Sequence, residues 1–105
     1  MEIVEIHSRD FWFKIVEFLQ QNWALINVDE SHKATIYFIS DTSKVFDKIT
    51  YSSKDEARNA LRRNGFRRFA EDKEAQKFID PPRPPYKIGN HPNGPRSSSG
   101  KFWLS

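Results

Sequence analysis

The sequence has no cysteine, which excludes thiol catalysis, thiolate metal sites and a disulfide framework. It also lacks a long hydrophobic run, since no apolar segment approaches the ~20 residues that a helix needs to cross a bilayer. The first residues, MEIVEIHSRD, contain no cationic stretch followed by an apolar one, so we expect no secretory signal. These absences predict a cytoplasmic protein that does not associate with membranes.

Motifs for catalysis and metal binding are missing too. The chain has no GxSxG, no P-loop and no glycine-rich dinucleotide turn, and no acidic pair has a spacing typical of acid–base catalysis. His7, His32 and His91 are separated by predicted turns and strands without a metal-ligand spacing. We therefore predict a protein that is not an enzyme and has no cofactor or metal. A small enzyme of unknown class is kept as a minor alternative.

The chain is rich in aromatic residues and uneven in charge. Its 105 residues include nine Phe, three Trp and three Tyr, and burial of each ring removes roughly 150–250 Å² from water, so a small aromatic core is predicted. Residues 1–50 contain five Lys and Arg against eight Asp and Glu, whereas residues 51–105 contain twelve against six. This asymmetry favours an anionic partner, either nucleic acid or an acidic protein surface.

A first helix is predicted over residues 9–22. At 100° per residue, most of the apolar side chains from Phe11 to Trp23 fall within one arc, with polar residues opposite. Phe13 is the exception, because it falls on the polar side of this helix.

A second helix is predicted over residues 53–64, with clear signals at both ends. It begins at an S-x-x-E capping box formed by Ser53 and Glu56. It ends before Gly65, which adopts the left-handed conformation without a Cβ penalty. Phe66 is then expected to contact Leu61 in a Schellman motif.

Between these helices, β-branched and aromatic runs predict strands around residues 25–28, 34–39 and 45–51, the last two forming a hairpin. The predicted fold class is α+β: a small antiparallel sheet of about three strands packed against the two helices. The compact domain is predicted over residues 1–79.

Residues 80–105 contain all six prolines and are predicted to form an extended Pro/Gly/Ser-rich arm that ends in an aromatic anchor. The segment PPRPPY at 81–86 is interpreted as a stiff spacer, with an SH3 or WW ligand as the alternative. We expect Phe102 and Trp103 to dock on a surface, either Phe13 in the same molecule, a second copy or a partner.

The predicted order of helix, three strands and helix resembles the double-stranded RNA-binding domain over residues 9–64. The resemblance lies in topology alone, since the last helix opens with Lys54–Asp55–Glu56 instead of a lysine cluster. It would imply a nucleic-acid partner, and membership is not inferred.

The candidate binding residues are cations on and just after the second helix. Lys54, Arg58 and Arg62 are spaced at i, i+4 and i+8, so they form a stripe that could follow a phosphate backbone. The complete set is Lys54, Arg58, Arg62, Arg63, Arg67 and Arg68. The alternative is a solvated face on which Asp55 pairs with Arg58. We predict a non-enzymatic binding or adaptor protein that engages an anionic surface, with a nucleic-acid-binding regulator as the alternative.

Overall fold

A computed structural model of the chain describes residues 2–17 and 20–89. The elements of these residues, in chain order, are β1 (Ile3–Val4), β2 (Trp12–Glu17), β3 (Gln20–Val28), β4 (Ala34–Ile39), β5 (Lys44–Tyr51), α1 (Lys54–Arg63), β6 (Arg67–Arg68), a 3-10 turn (Phe69–Glu71), α2 (Lys73–Phe78) and β7 (Tyr86–Ile88).

One mixed sheet contains all of these strands, in the order β1-β7-β5-β4-β3-β2-β6. Neighbouring strands are antiparallel except for β5 and β7, which are parallel. The predicted architecture is therefore wrong, because seven strands and two short helices replace a three-stranded sheet on two helices. The predicted β4–β5 hairpin is confirmed and lies near the centre of the sheet.

The first predicted helix, over residues 9–22, is wrong, because the described residues of this range, 9–17 and 20–22, form no helix. This part of the chain contains β2 and the start of β3, which pair antiparallel with Trp12 opposite Ala24 and Phe13 opposite Trp23. Both faces of β2 are covered at Trp12 and Phe13, so its apolar residues are consecutive instead of alternating. A consecutive apolar run fits a helical arc as well as it fits a strand. Without this helix, the element order no longer corresponds to that of the double-stranded RNA-binding domain.

One face of the sheet is covered by α1. Ala57, Ala60 and Leu61 are buried on the helix side. The sheet side of this core is formed by every second residue along its strands, on the face that is turned towards α1. Its members are Trp12, Ala24, Ile26, Ala34, Ile36 and Phe38, with Phe66 closing the end.

The opposite face of the sheet is covered by the N-terminal segment, by α2 and by the proline-rich segment. Its core consists of Ile6, Phe11, Phe13, Trp23, Leu25, Ile39, Val45 and Tyr86, with Phe69, Ala75 and Ile79 packed against it. Phe13 is 4% exposed and its ring lies 5.9 Å from that of Trp23 and 6.1 Å from that of Phe69. Phe13 is thus a core residue and not an exposed residue on a polar helix face.

Both predicted ends of α1 are confirmed. The Ser53 hydroxyl accepts a hydrogen bond from the Glu56 N–H at 3.2 Å. At the other end, Gly65 has φ +83°, and the Phe66 N–H donates to the Leu61 carbonyl at 2.9 Å, as a Schellman motif requires. The chain therefore reverses sharply after α1 and enters β6.

The proline-rich segment packs on the sheet. Pro82 and Tyr86 are buried, and the Tyr86 hydroxyl donates to the Pro82 carbonyl at 2.9 Å. Because β7 lies between β1 and β5, the compact unit continues past residue 79 to about Gly89. The Gly89 N–H donates a hydrogen bond to the Val45 carbonyl. Burial of Tyr86 favours the spacer interpretation over an SH3 or WW ligand. Phe102 and Trp103 lie outside the described residues.

Candidate anion-binding surface

A cleft lies between the C-terminal end of α1 and the segment that contains β6 and the 3-10 turn. Its volume is about 490 Å³. It is lined by Trp12, Arg62, Gly65, Phe66, Arg67, Arg68, Glu71 and Asp72. Three of the six predicted binding cations therefore line one cleft, so the basic residues gather at one end of the helix and not along it.

The reversal at Gly65 and the pairing of β6 with β2 bring these cations together. Arg68 lies opposite Trp12 and Arg67 lies opposite Phe13. Successive residues of a strand point to opposite faces, so the two side chains leave β6 on different sides of the sheet. Because β6 is the edge strand, the cleft extends around this edge and is lined by both arginines. Arg68 is on the side of α1, where it meets the cations of the helix.

Arg58 and Arg68 share one carboxylate, that of Asp10. The Arg68 Nε donates to both carboxylate oxygens, at 2.9 and 3.1 Å, and the Arg58 Nη2 lies 3.7 Å from Asp10 Oδ2. The hydrogen bond to Asp10 raises the pKa of the Arg68 guanidinium further above its already high ordinary value. These arginines connect the N-terminal segment, α1 and β6, and both side chains are mostly shielded from solvent. They stabilise the fold, and Arg68 also forms one wall of the cleft.

Arg62 is placed differently. Its guanidinium carbon lies 5.1 Å from the centre of the Trp12 ring, within the range of a cation–π contact. Its Nη2 is 4.0 Å from Glu71 Oε1, and the side chain is 55% exposed. Trp12 therefore supports the Arg62 guanidinium, while the side chain as a whole stays more than half exposed.

Arg67 is the most exposed arginine for which the structure gives an ion pair. Its side chain is 75% exposed, and Nη1 lies 3.3 Å from Asp72 Oδ2. Asp72 is held mainly by another contact, because its carboxylate accepts from the Ala75 N–H at 3.0 Å and caps α2. This backbone hydrogen bond, and then Arg67, lowers the pKa of Asp72.

Arg63 and Lys54 are exposed, and neither makes an ion pair with any residue in 2–17 or 20–89. Arg63 belongs to the last turn of α1 and thus lies near the cleft. Lys54 begins α1, beside Asp55 and Glu56, at the other end of the helix. The predicted stripe of Lys54, Arg58 and Arg62 is therefore interrupted, because its middle member is held by Asp10.

Three charged residues at or next to the cleft were missed by sequence reasoning. The Lys14 ammonium lies about 3.8 Å from the position that a Cβ on Gly65 would occupy, so it adds a cation beside the end of α1. Glu71 and Asp72 bring carboxylates. Lys14 follows Trp12 by two residues, so a strand assignment for β2 would have placed both on one face.

In the described part of the chain, no group of three His, Asp or Glu residues could hold a metal ion, and no helix is long and apolar enough to cross a membrane. The chain matches no family model, and no curated protein or solved structure is found to be similar to it. Function is therefore inferred from the geometry of the cleft.

Proposed function

We propose that this protein is a non-enzymatic binding protein that engages an acidic protein surface through Arg62, Arg63 and Arg67, with Lys14 beside them. The observation that carries the proposal is the gathering of exposed cations around one cleft at the end of α1. Guanidinium groups bind carboxylates through parallel N–H donors, which gives such a surface both affinity and geometric selectivity.

The existing ion pairs of Arg62 and Arg67 do not prevent this role. Exposed ion pairs contribute about 0–1 kcal/mol each, so a partner's carboxylate can replace an internal one at little cost. Arg58 and Arg68 are different, because Asp10 holds both of them. Arg58 therefore serves the structure alone, whereas Arg68, whose Nε is held by Asp10, still directs Nη1 towards Glu71 in the cleft.

The carboxylates in the cleft favour an acidic protein over nucleic acid. A phosphate backbone placed along α1 would pass Glu71 and Asp72 as well as the arginines, and like charges would repel it. Lys54 is too far along the helix to join the same contact, so the run of cations available to a backbone is short. A protein carboxylate, in contrast, needs only one or two arginines.

The proposal is tested with the full chain and a fluorescein-labelled poly-Glu peptide, measured by fluorescence anisotropy against a labelled oligothymidylate. Replacing Arg62 and Arg63 by Gln should weaken poly-Glu binding by about fivefold to tenfold, the loss of two exposed ionic contacts. Lys33→Gln with Lys48→Gln removes the same charge from two exposed residues that do not line the cleft, one just before β4 and one in β5, and serves as the matched control.

Two results contradict the proposal. An equal loss in both double variants would mean that net charge alone attracts the peptide. Tighter binding of oligothymidylate than of poly-Glu, lost specifically in the Arg62 and Arg63 variant, would favour the nucleic-acid-binding regulator instead.

A further inference from the structure

We infer that Glu71 occupies the position which a partner carboxylate takes in the complex, so the protein binds an acidic peptide whose Asp or Glu exchanges with Glu71 between Arg62 and Arg68. This inference rests on the proposed function and deepens it. It identifies the partner as a carboxylate-bearing peptide and names the group that the partner must displace.

The position of Glu71 shows that the cleft accommodates a carboxylate. Its Oε1 lies 4.0 Å from Arg62 Nη2 and its Oε2 lies 3.6 Å from Arg68 Nη1, so one carboxylate lies between two guanidinium groups. Both distances are longer than a good N–H···O hydrogen bond, and the side chain is 60% exposed. Glu71 is therefore held loosely, at a point where a better-placed carboxylate could form shorter contacts.

The other two carboxylates near the cleft are not exchangeable in this way. Asp10 accepts two hydrogen bonds from the Arg68 Nε and is mostly shielded. Asp72 accepts from the Ala75 N–H and caps α2. Removal of either carboxylate would disturb the fold, whereas Glu71 takes part in neither of these contacts.

The exchange requires only a side-chain movement. The 3-10 turn that carries Glu71 is fixed by Phe69, whose N–H donates to the Phe11 carbonyl at 2.9 Å and whose ring packs against Phe13 and Trp23. Arg68 also keeps its orientation when Glu71 leaves, because Asp10 holds it. The site is thus preorganised for an incoming carboxylate, which reduces the ordering cost of binding.

The test compares Glu71→Gln with Glu74→Gln in the full chain, using the same poly-Glu peptide. Both changes remove one negative charge, but Glu74 lies on α2, pairs with Lys77 and does not line the cleft. The Kd of Glu71→Gln for poly-Glu should be about threefold to fivefold lower than the Kd of Glu74→Gln, because one competitor for two arginines is removed. Thermal unfolding midpoints equal to that of the wild type establish that both variants fold.

A double variant shows whether the effect passes through the arginine. In the Arg62→Gln background, Glu71→Gln should tighten binding clearly less than it does alone, since residues that compete for one contact are not additive. Equal tightening by Glu71→Gln and Glu74→Gln, or tightening that is unchanged without Arg62, would overturn the inference while poly-Glu binding by the wild type still stands. Absence of saturable poly-Glu binding by the wild type would instead overturn the proposed function itself.

Discussion

Substitution of Gly65 by alanine tests the turn that forms the cleft. Gly65 has φ +83°, a left-handed conformation that costs a residue with a Cβ about 1–2 kcal/mol. A Cβ built on Gly65 would have Lys14 Cε as its nearest neighbour at 3.5 Å, an ordinary contact, so steric overlap adds nothing. Alanine also restricts the unfolded chain, which offsets about 0.4–1 kcal/mol of the strain. The expected net loss of stability is therefore about 1 kcal/mol.

Thermal unfolding followed by circular dichroism measures this loss. A change of 1 kcal/mol lowers the midpoint by about 4–8 °C in a domain of this size. Gly65→Asn should lose clearly less, because asparagine tolerates the left-handed region better than alanine does. Asn59→Ala places the same alanine on the exposed side of α1 and should leave the midpoint unchanged or raise it slightly. A Gly65→Ala protein that melts with the wild type would refute the Schellman geometry and, with it, the described shape of the cleft.

Three further predictions concern the core and the fixed charges. Phe13→Ala should lower the free energy of unfolding by about 3–5 kcal/mol in urea titrations, because the ring is buried. A loss below about 1 kcal/mol would instead indicate that Phe13 is exposed, as the helical pattern predicts. Asp10→Asn should lower the thermal midpoint more than Asp55→Asn does, because only Asp10 holds two arginines; equal midpoints would contradict the shared ion pair. Burial raises the pKa of the Tyr86 phenol, so the stability linked to it is complete below the phenol's ordinary pKa of about 10 and is lost as pH rises above it. Tyr86→Phe should remove this part of the alkaline loss in melts across that pH range, and an unchanged pH profile would contradict it.

The part of the fold from β4 to α1 could be predicted because its signals are local. Ser53 and Gly65 act on backbone groups within a few residues, so the ends of α1 can be recognised in the sequence without knowledge of the rest of the chain. The β4–β5 hairpin is local in the same sense, with strands joined by a short turn. Helix caps and turn residues, which act over a few positions, therefore identified α1 and the hairpin correctly.

The strand β2 and the start of β3 could not be predicted, because their conformation depends on distant residues. Trp12 and Phe13 are covered on opposite faces, by α1 and by Phe69 among others, and these neighbours come from more than forty positions further along the chain. Their burial removes the alternation that marks a strand. The same is true of β7, where prolines and Tyr86 indicate an extended segment but not its place between β1 and β5.

The sequence indicated cations as candidate binding residues but did not indicate how they are arranged. Three of the six proposed cations line the cleft. The sequence does not indicate that Asp10 holds Arg58 and Arg68, since these ion pairs join residues 48 and 58 positions apart. The contribution of Lys14 was hidden for the same reason that β2 was, because its position beside Gly65 follows only from a strand. Charge content can be read from a sequence, whereas the pairing of charges depends on topology.

The most direct test of the account is a titration of the full chain with poly-Glu, followed by NMR of backbone amides and arginine Nε–H groups. The account predicts that the Nε–H signals of Arg62 and Arg67 and the amides from Arg63 to Arg68 shift together, with one binding constant. The Nε–H of Arg58 should shift little, because Asp10 holds that side chain. Shifts centred on another face of the sheet, or none at saturating peptide, would contradict the claim that this cleft binds an acidic partner.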